Sequence, residues 1–127
     1  MTGKYIYKLC AESEWQSREI LRGSADDRRD CFIHFSTAEQ LPGTLAKHFA
    51  HQRDLALLRA QPEELGDRLR WEPSRGGALF PHVYGELTIG DLWHVGRLPE
   101  GPDGVPYLPD VWRRDGEFNG YPWPPED

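Results

Sequence analysis

Seven of the chain's eleven prolines lie at or after Pro99, where four glycines accompany them. Proline lacks a backbone donor and fixes φ, so this density excludes regular helix or sheet from the last part of the chain. The fold must therefore be built within residues 1–98, and we expect residues 99–127 to form a separate acidic tail. A chain of 127 residues is enough for one domain with its own core. The tail is too aromatic for a disordered segment, since it carries Tyr107, Trp112, Phe118, Tyr121 and Trp123. Each such ring removes ~150–250 Å² from water when buried, so the tail is expected to dock, either on its own domain or on a second copy as a homodimer.

Within residues 1–98, alternation predicts strands at Tyr5 to Cys10, Cys31 to Ser36, Leu69 to Glu72, His82 to Leu87 and Leu92 to Leu98. The apolar run Asp54 to Ala60 is assigned as a further strand. Ser13 and Gln16 have the spacing of a capping box for a short helix from Trp15 to near Gly23. Ser36 and Glu39 have the same spacing ahead of Leu41, Leu45 and Phe49, the stripe of a second helix that is either kinked by Pro42 or begins there. Pro62 to Leu65 reads as a turn and Ser74 to Ala78 as a glycine loop. Without a regular β-α-β alternation, the order implies an α+β fold with a mainly antiparallel sheet and two helices in the N-terminal half.

The net charge of −6 belongs mostly to the tail, because the first 98 residues hold thirteen basic against fourteen acidic side chains. There is no basic stripe for duplex nucleic acid. No run approaches the roughly 20 apolar residues that span a bilayer, and MTGKYIYKLC lacks a signal-peptide core, so a cytoplasmic protein is expected. Cys10 and Cys31 sit in no redox or zinc motif and read as small buried residues. His48 and His51 are three apart with no third ligand at a zinc spacing, so no metal site is expected, and His94 reads as a surface residue.

The densest chemistry lies between Arg70 and Leu87, RWEPSRGGALFPHVYGEL. If Pro81 starts an extended segment, His82, Tyr84 and Glu86 share one face. Glu72 beside Trp71 is either a tuned carboxyl or half of a surface pair with Arg75, and Arg75-Gly76-Gly77 is either a phosphate-approach loop or a tight turn. His34 is either a core imidazole or, beside the hydroxyls of Ser36 and Thr37, part of a site. Ser36 itself serves equally as a helix cap.

Ile6-Tyr7-Lys8, Trp15, Phe32-Ile33-His34-Phe35-Ser36-Thr37-Ala38-Glu39-Gln40, Trp71-Glu72 and Phe80-Pro81-His82-Val83-Tyr84-Gly85 together resemble the bacterial family known as domain of unknown function 952, over about residues 4 to 98. That family looks like a compact member of the ADP-ribosyltransferase fold, a split pair of small curved sheets with a cleft between them. The resemblance implies a cleft for NAD, ADP-ribose or a related nucleotide, used either in ADP-ribosyl or phospho transfer or for non-catalytic binding of a nucleotide or protein. It makes Glu72, Glu86 and His34 the candidates for catalysis, and Tyr7, Lys8, Ser36, Thr37, Arg75, His82 and Tyr84 the candidates for holding the nucleotide. Lys8 stands where relatives have His after Tyr, and a lysine binds phosphate only as a point charge.

Overall fold

The computed structural model describes residues 5–17, 32–114 and 116–118, with the backbone alone at Arg75 and Ile89. It is an α+β fold with mainly antiparallel sheets. The first sheet has the order β1-β3-β6, from β1 (Ile6–Ala11), β3 (Leu55–Ala60) and β6 (Trp93–Arg97). The second has the order β2-β5-β4, from β2 (Ile33–His34), β5 (Leu79–Val83) and β4 (Leu69–Pro73). Every pairing in both is antiparallel. Among the described residues the α-helices are α1 (Glu12–Ser17), α2 (Leu41–His48) and α3 (Pro62–Leu65).

The two sheets are joined where one segment passes from the first to the second. Ile33 and His34 pair with Val83 and His82 on β5, and the Phe35 amide still donates to the Pro81 carbonyl at 3.0 Å. One residue on, Ser36 exchanges both backbone hydrogen bonds with Tyr7 of β1, each at 2.8 Å. The side chain of Lys8 reinforces the crossing, since its Nζ donates to the His34 carbonyl at 3.3 Å.

Both faces of the first sheet are covered, so β1 and β3 are apolar on both sides, as their sequences require. Ile6, Cys10, Ala56 and Leu58 pack with Ile33, Phe35 and Val83 of the second sheet. Tyr7, Leu9, Leu55 and Leu57 pack with Leu41 and Leu45 of α2 and with Trp112 and Phe118 from the proline-rich tail. Tyr7 bolts that tail down: its hydroxyl donates to Glu117 Oε1 and accepts the Phe118 amide, both at 2.8 Å. Burial, above all, pushes its phenol far above the ordinary value.

Several expectations need correction. The tail is not without regular structure: β7 (Arg113–Arg114) pairs with β8 (Glu117–Phe118) around a turn containing Gly116 at φ 80°. Gly116 supplies the positive φ that a tight hairpin turn demands, and the surrounding prolines do not prevent it. Residues 62–65 form a helix rather than a turn, because Pro62 occupies a first-turn position where its missing N–H costs nothing. Helix α1 already begins at Glu12, so Ser13 lies inside it, and the expected extension to Gly23 falls outside the described residues. Ahead of α2 the reciprocal pair is Thr37 with Gln40 instead of Ser36 with Glu39: the Thr37 amide donates to Gln40 Oε1 at 3.0 Å and the Gln40 amide to Thr37 Oγ1 at 3.1 Å. The helix then starts at Leu41, one residue before Pro42. Strand β5 starts at Leu79 and ends at Val83, with Pro81 in its interior. Cys10 is buried and Cys31 lies outside the described residues.

Trp112 lies directly on Gly96 of β6, and a methyl group there would stand 2.8 Å from two atoms of the indole. Gly96→Ala is therefore expected to lift the tail and to destabilise the fold by about 1–3 kcal/mol. Urea unfolding measures this, and an unchanged midpoint would show that Trp112 does not hold the tail in place.

Candidate functional site

Side chains alternate along β4 and β5, and the register decides which meet. Arg70 stands opposite His82, and Glu72 opposite Phe80. Leu69, Val83 and Ile33 turn toward the core. Arg70, Glu72, His82 and His34 therefore share the other face of the second sheet, with His34 directly across from His82.

On that face Glu72 Oε1 accepts two hydrogen bonds, from His82 Nδ1 at 2.7 Å and from the Tyr84 hydroxyl at 2.8 Å. Phe32 stacks on the His82 ring with centroids 4.1 Å apart, and the His34 ring meets His82 edge-on at 5.3 Å. Phe32 also lies 5.2 Å from the Tyr84 ring, and the exposed Arg70 guanidinium sits 5.3 Å from that ring's centroid. The result is an aromatic and imidazole surface arranged around one carboxylate.

The hydrogen bond from His82, then that from Tyr84, hold the Glu72 carboxyl below its ordinary pKa, so it is ionised at neutral pH. An ionised carboxylate only accepts, which makes His82 Nδ1 the donor of their shared hydrogen bond. The Glu72 side chain remains 34% exposed while that of His82 is 5% exposed. Among the described residues Glu72 Oε2 accepts no hydrogen bond, so it faces outward with its orientation already fixed.

The structure thus gathers Glu72, His34, His82 and Tyr84, and adds Phe32 and Arg70, which the sequence reading did not single out. Alternation with His34 and with Glu72 was the available signal for these two. The remaining candidates lie elsewhere. Gly85, at φ 81°, turns the chain after β5, so Glu86 is exposed and does not share the face of His82; its carbonyl accepts Arg68 at 2.7 Å. Tyr7 faces the tail, and buried Lys8 reaches the His34 backbone. Ser36 is buried with Oγ 2.8 Å from Thr44 Oγ1. Thr37 lines a separate pocket of about 350 Å³ with Tyr5, Glu39, Trp71 and Glu117. Trp71 lies on the face of β4 opposite Glu72, so Thr37 and Glu72 do not form the two walls of one cleft. The Arg75 side chain lies outside the described part.

His94 is not a plain surface residue: it is half-buried, with Nε2 3.1 Å from Glu12 Oε1 and its ring 5.6 Å from that of Trp15. Among the described residues no three His, Cys, Asp or Glu side chains group to hold a metal, and no helix is long and apolar enough to cross a membrane.

The family model described as "Protein of unknown function (DUF952)" matches residues 9–95, which include β2 to β5 and the whole Glu72–His82–Tyr84 cluster. The chain belongs to this family. Among solved structures it is similar to protein CC0527 from Caulobacter crescentus. The crystal structure of that protein is 42% identical over 82% of this chain and 94% of the other, with a TM-score of 0.75. Its solution structure is 43% identical over 80% and 90% of the two chains, with a TM-score of 0.69. No curated protein matches the chain.

The shared hydrogen bonds give two titrations of opposite sign. The depressed Glu72 pKa contributes stability that is present above the unfolded carboxyl value and is lost as pH falls through the folded one. The Tyr84 phenol is raised, first by its bond to Glu72, so its contribution is present below the unfolded phenol value and is lost as pH rises through the folded one. In Glu72→Gln, the phenol step that Tyr84→Phe abolishes is expected to move down toward the ordinary value of 10.0. Ultraviolet titration follows it, and an unmoved step would mean that Tyr84 does not donate to Glu72.

Proposed function

We propose that the Glu72–His82–Tyr84 face binds NAD, ADP-ribose or a related nucleotide, with Glu72 accepting a ribose hydroxyl. The observation that carries this reading is the carboxylate itself, ionised, gripped through one oxygen by two donors, and open to solvent at the other. An acceptor fixed in advance loses little orientational freedom on binding, and it suits a sugar hydroxyl. The rings of Phe32 and Tyr84 offer a surface for a base or a nicotinamide, and Arg70 supplies an exposed cation for a phosphate.

The choice of NAD among ring-and-sugar ligands rests on likeness to the ADP-ribosyltransferase fold. Two small antiparallel sheets that part at Ser36 agree with that likeness. In a transfer reaction the C1′–N bond of the ribosyl group breaks, nicotinamide leaves with the bonding pair, and the acceptor oxygen bonds to C1′ and loses its proton. An oxocarbenium-like state lies between, and Glu72 stabilises it by polarising a ribose hydroxyl, by analogy with carboxylates in glycoside cleavage.

A second reading, a non-catalytic nucleotide- or protein-binding module, is favoured by Lys8. Its ammonium is buried against the His34 carbonyl, so the cation nearest the sheet crossing serves the fold rather than a phosphate.

Calorimetry with NAD, ADP-ribose and a nucleotide 2′-phosphate tests the proposal. ADP-ribose is expected to bind, and Glu72→Gln to weaken it about tenfold or more with the fold intact, as for loss of a hydrogen bond to a charged group. No heat with any of the three at millimolar concentration would remove the nucleotide reading. Binding of NAD without nicotinamide release would favour the non-catalytic module.

A further inference from the structure

His82 is the most buried polar side chain of the cluster, and its second nitrogen has no use within the described residues. Nε2 is out of contact with solvent and has no hydrogen-bond partner there. A buried ring nitrogen left unpaired is destabilising, and such a group in a fold calls for an explanation. The other ring nitrogen is engaged by Glu72, and in a neutral imidazole that bond places the lone pair on Nε2.

Among the described residues no group donates to it. Phe32 covers one face of the imidazole with a hydrocarbon ring, and His34 meets it edge-on. Tyr84 directs its hydroxyl proton to Glu72. Phe32 and His34 are themselves half-buried, so a shift of one of these rings would admit a ligand group to the nitrogen.

We infer that His82 Nε2 is a ligand-binding atom reserved for a hydrogen-bond donor, so the end of the ligand that enters the cluster is a sugar or carboxamide rather than a phosphate. This rests on the nucleotide reading and specifies which part of the nucleotide goes where. Glu72 Oε2 accepts, as does an unprotonated His82 Nε2, and two acceptors side by side on one face repel phosphate oxygens while pairing with hydroxyl or amide hydrogens. The terminal ribose of ADP-ribose meets that requirement. The terminal phosphate of ADP does not, and Arg70, outside the cluster proper, is the group that would meet the diphosphate.

The test compares ADP-ribose with ADP on the wild-type chain and on His82→Asn. An asparagine amide can stand in for Nδ1 and still donate to Glu72, but it has nothing at the place of Nε2. Wild type is expected to bind ADP-ribose at least about tenfold more tightly than ADP, and His82→Asn to lose that preference while keeping its affinity for ADP. Thermal unfolding checks that the variant is folded, and Glu72→Asn, which removes the partner instead of the nitrogen, is expected to weaken ADP-ribose as well. Equal affinity for the two ligands in wild type, or a preference that survives in His82→Asn, would overturn the inference and leave the nucleotide site standing. Failure of both ligands to bind wild type would overturn the nucleotide reading, and this inference with it.

Discussion

The structure depends on a four-residue crossing. Residues 33 to 36 begin as the third strand of one sheet and end as a bridge to the edge of the other, so a single extended segment carries hydrogen bonds to both. A parting at this point lets the inward side chains Ile33 and Phe35 fill the space between the sheets while His34 turns outward. Lys8 stabilises the crossing from beneath by donating to the His34 carbonyl, so its charge is spent on architecture at the place where a ligand-binding role had been expected.

The outward face of the second sheet then follows from register. Placing His34 across from His82, and His82 across from Arg70, brings Glu72 to His82 on the diagonal and stacks Phe32 over the imidazole. A slip of one residue in β4 would send Glu72 to the core face and Trp71 to the site. The glycine turn at residues 75–77, with Gly76 and Gly77 both at positive φ, connects the two strands that fix this register. The Pro81 carbonyl ties the crossing to the middle of β5, although its nitrogen can donate nothing.

Local pattern made much of this legible and long-range register hid the rest. The alternating runs of β1, β4 and β6, the continuous apolar run of β3 and the Leu41–Leu45 stripe of α2 were readable because burial, on one face or on both, leaves a trace in the local sequence. The capping pair was misread by one position because Ser36–Glu39 and Thr37–Gln40 share the same spacing, and only the Ser36–Tyr7 bridge decides between them. Strand β5 was displaced because Pro81 reads as a start signal, and with it went the expectation that Glu86 shares a face with His82. Glu72, His82 and Tyr84 were each nameable as candidates; that all three meet at one oxygen depends on pairing between β4 and β5, which no single segment encodes. The tail's anchors, Trp112 and Phe118, could be recognised as aromatics that need burial, but not as the lid of the first sheet.

The chemistry of this face turns on one ring state, a His82 imidazole that donates from Nδ1 to Glu72 while Nε2 has no partner among the described residues. Two-bond ¹⁵N–¹H correlation spectra of the imidazoles, with His82 assigned by its loss in His82→Asn, read that state directly at neutral pH. A protonated Nδ1 and an unprotonated Nε2 are expected, with the Nε2 resonance moving when ADP-ribose is added. A ring carrying its proton on Nε2 at neutral pH would contradict this.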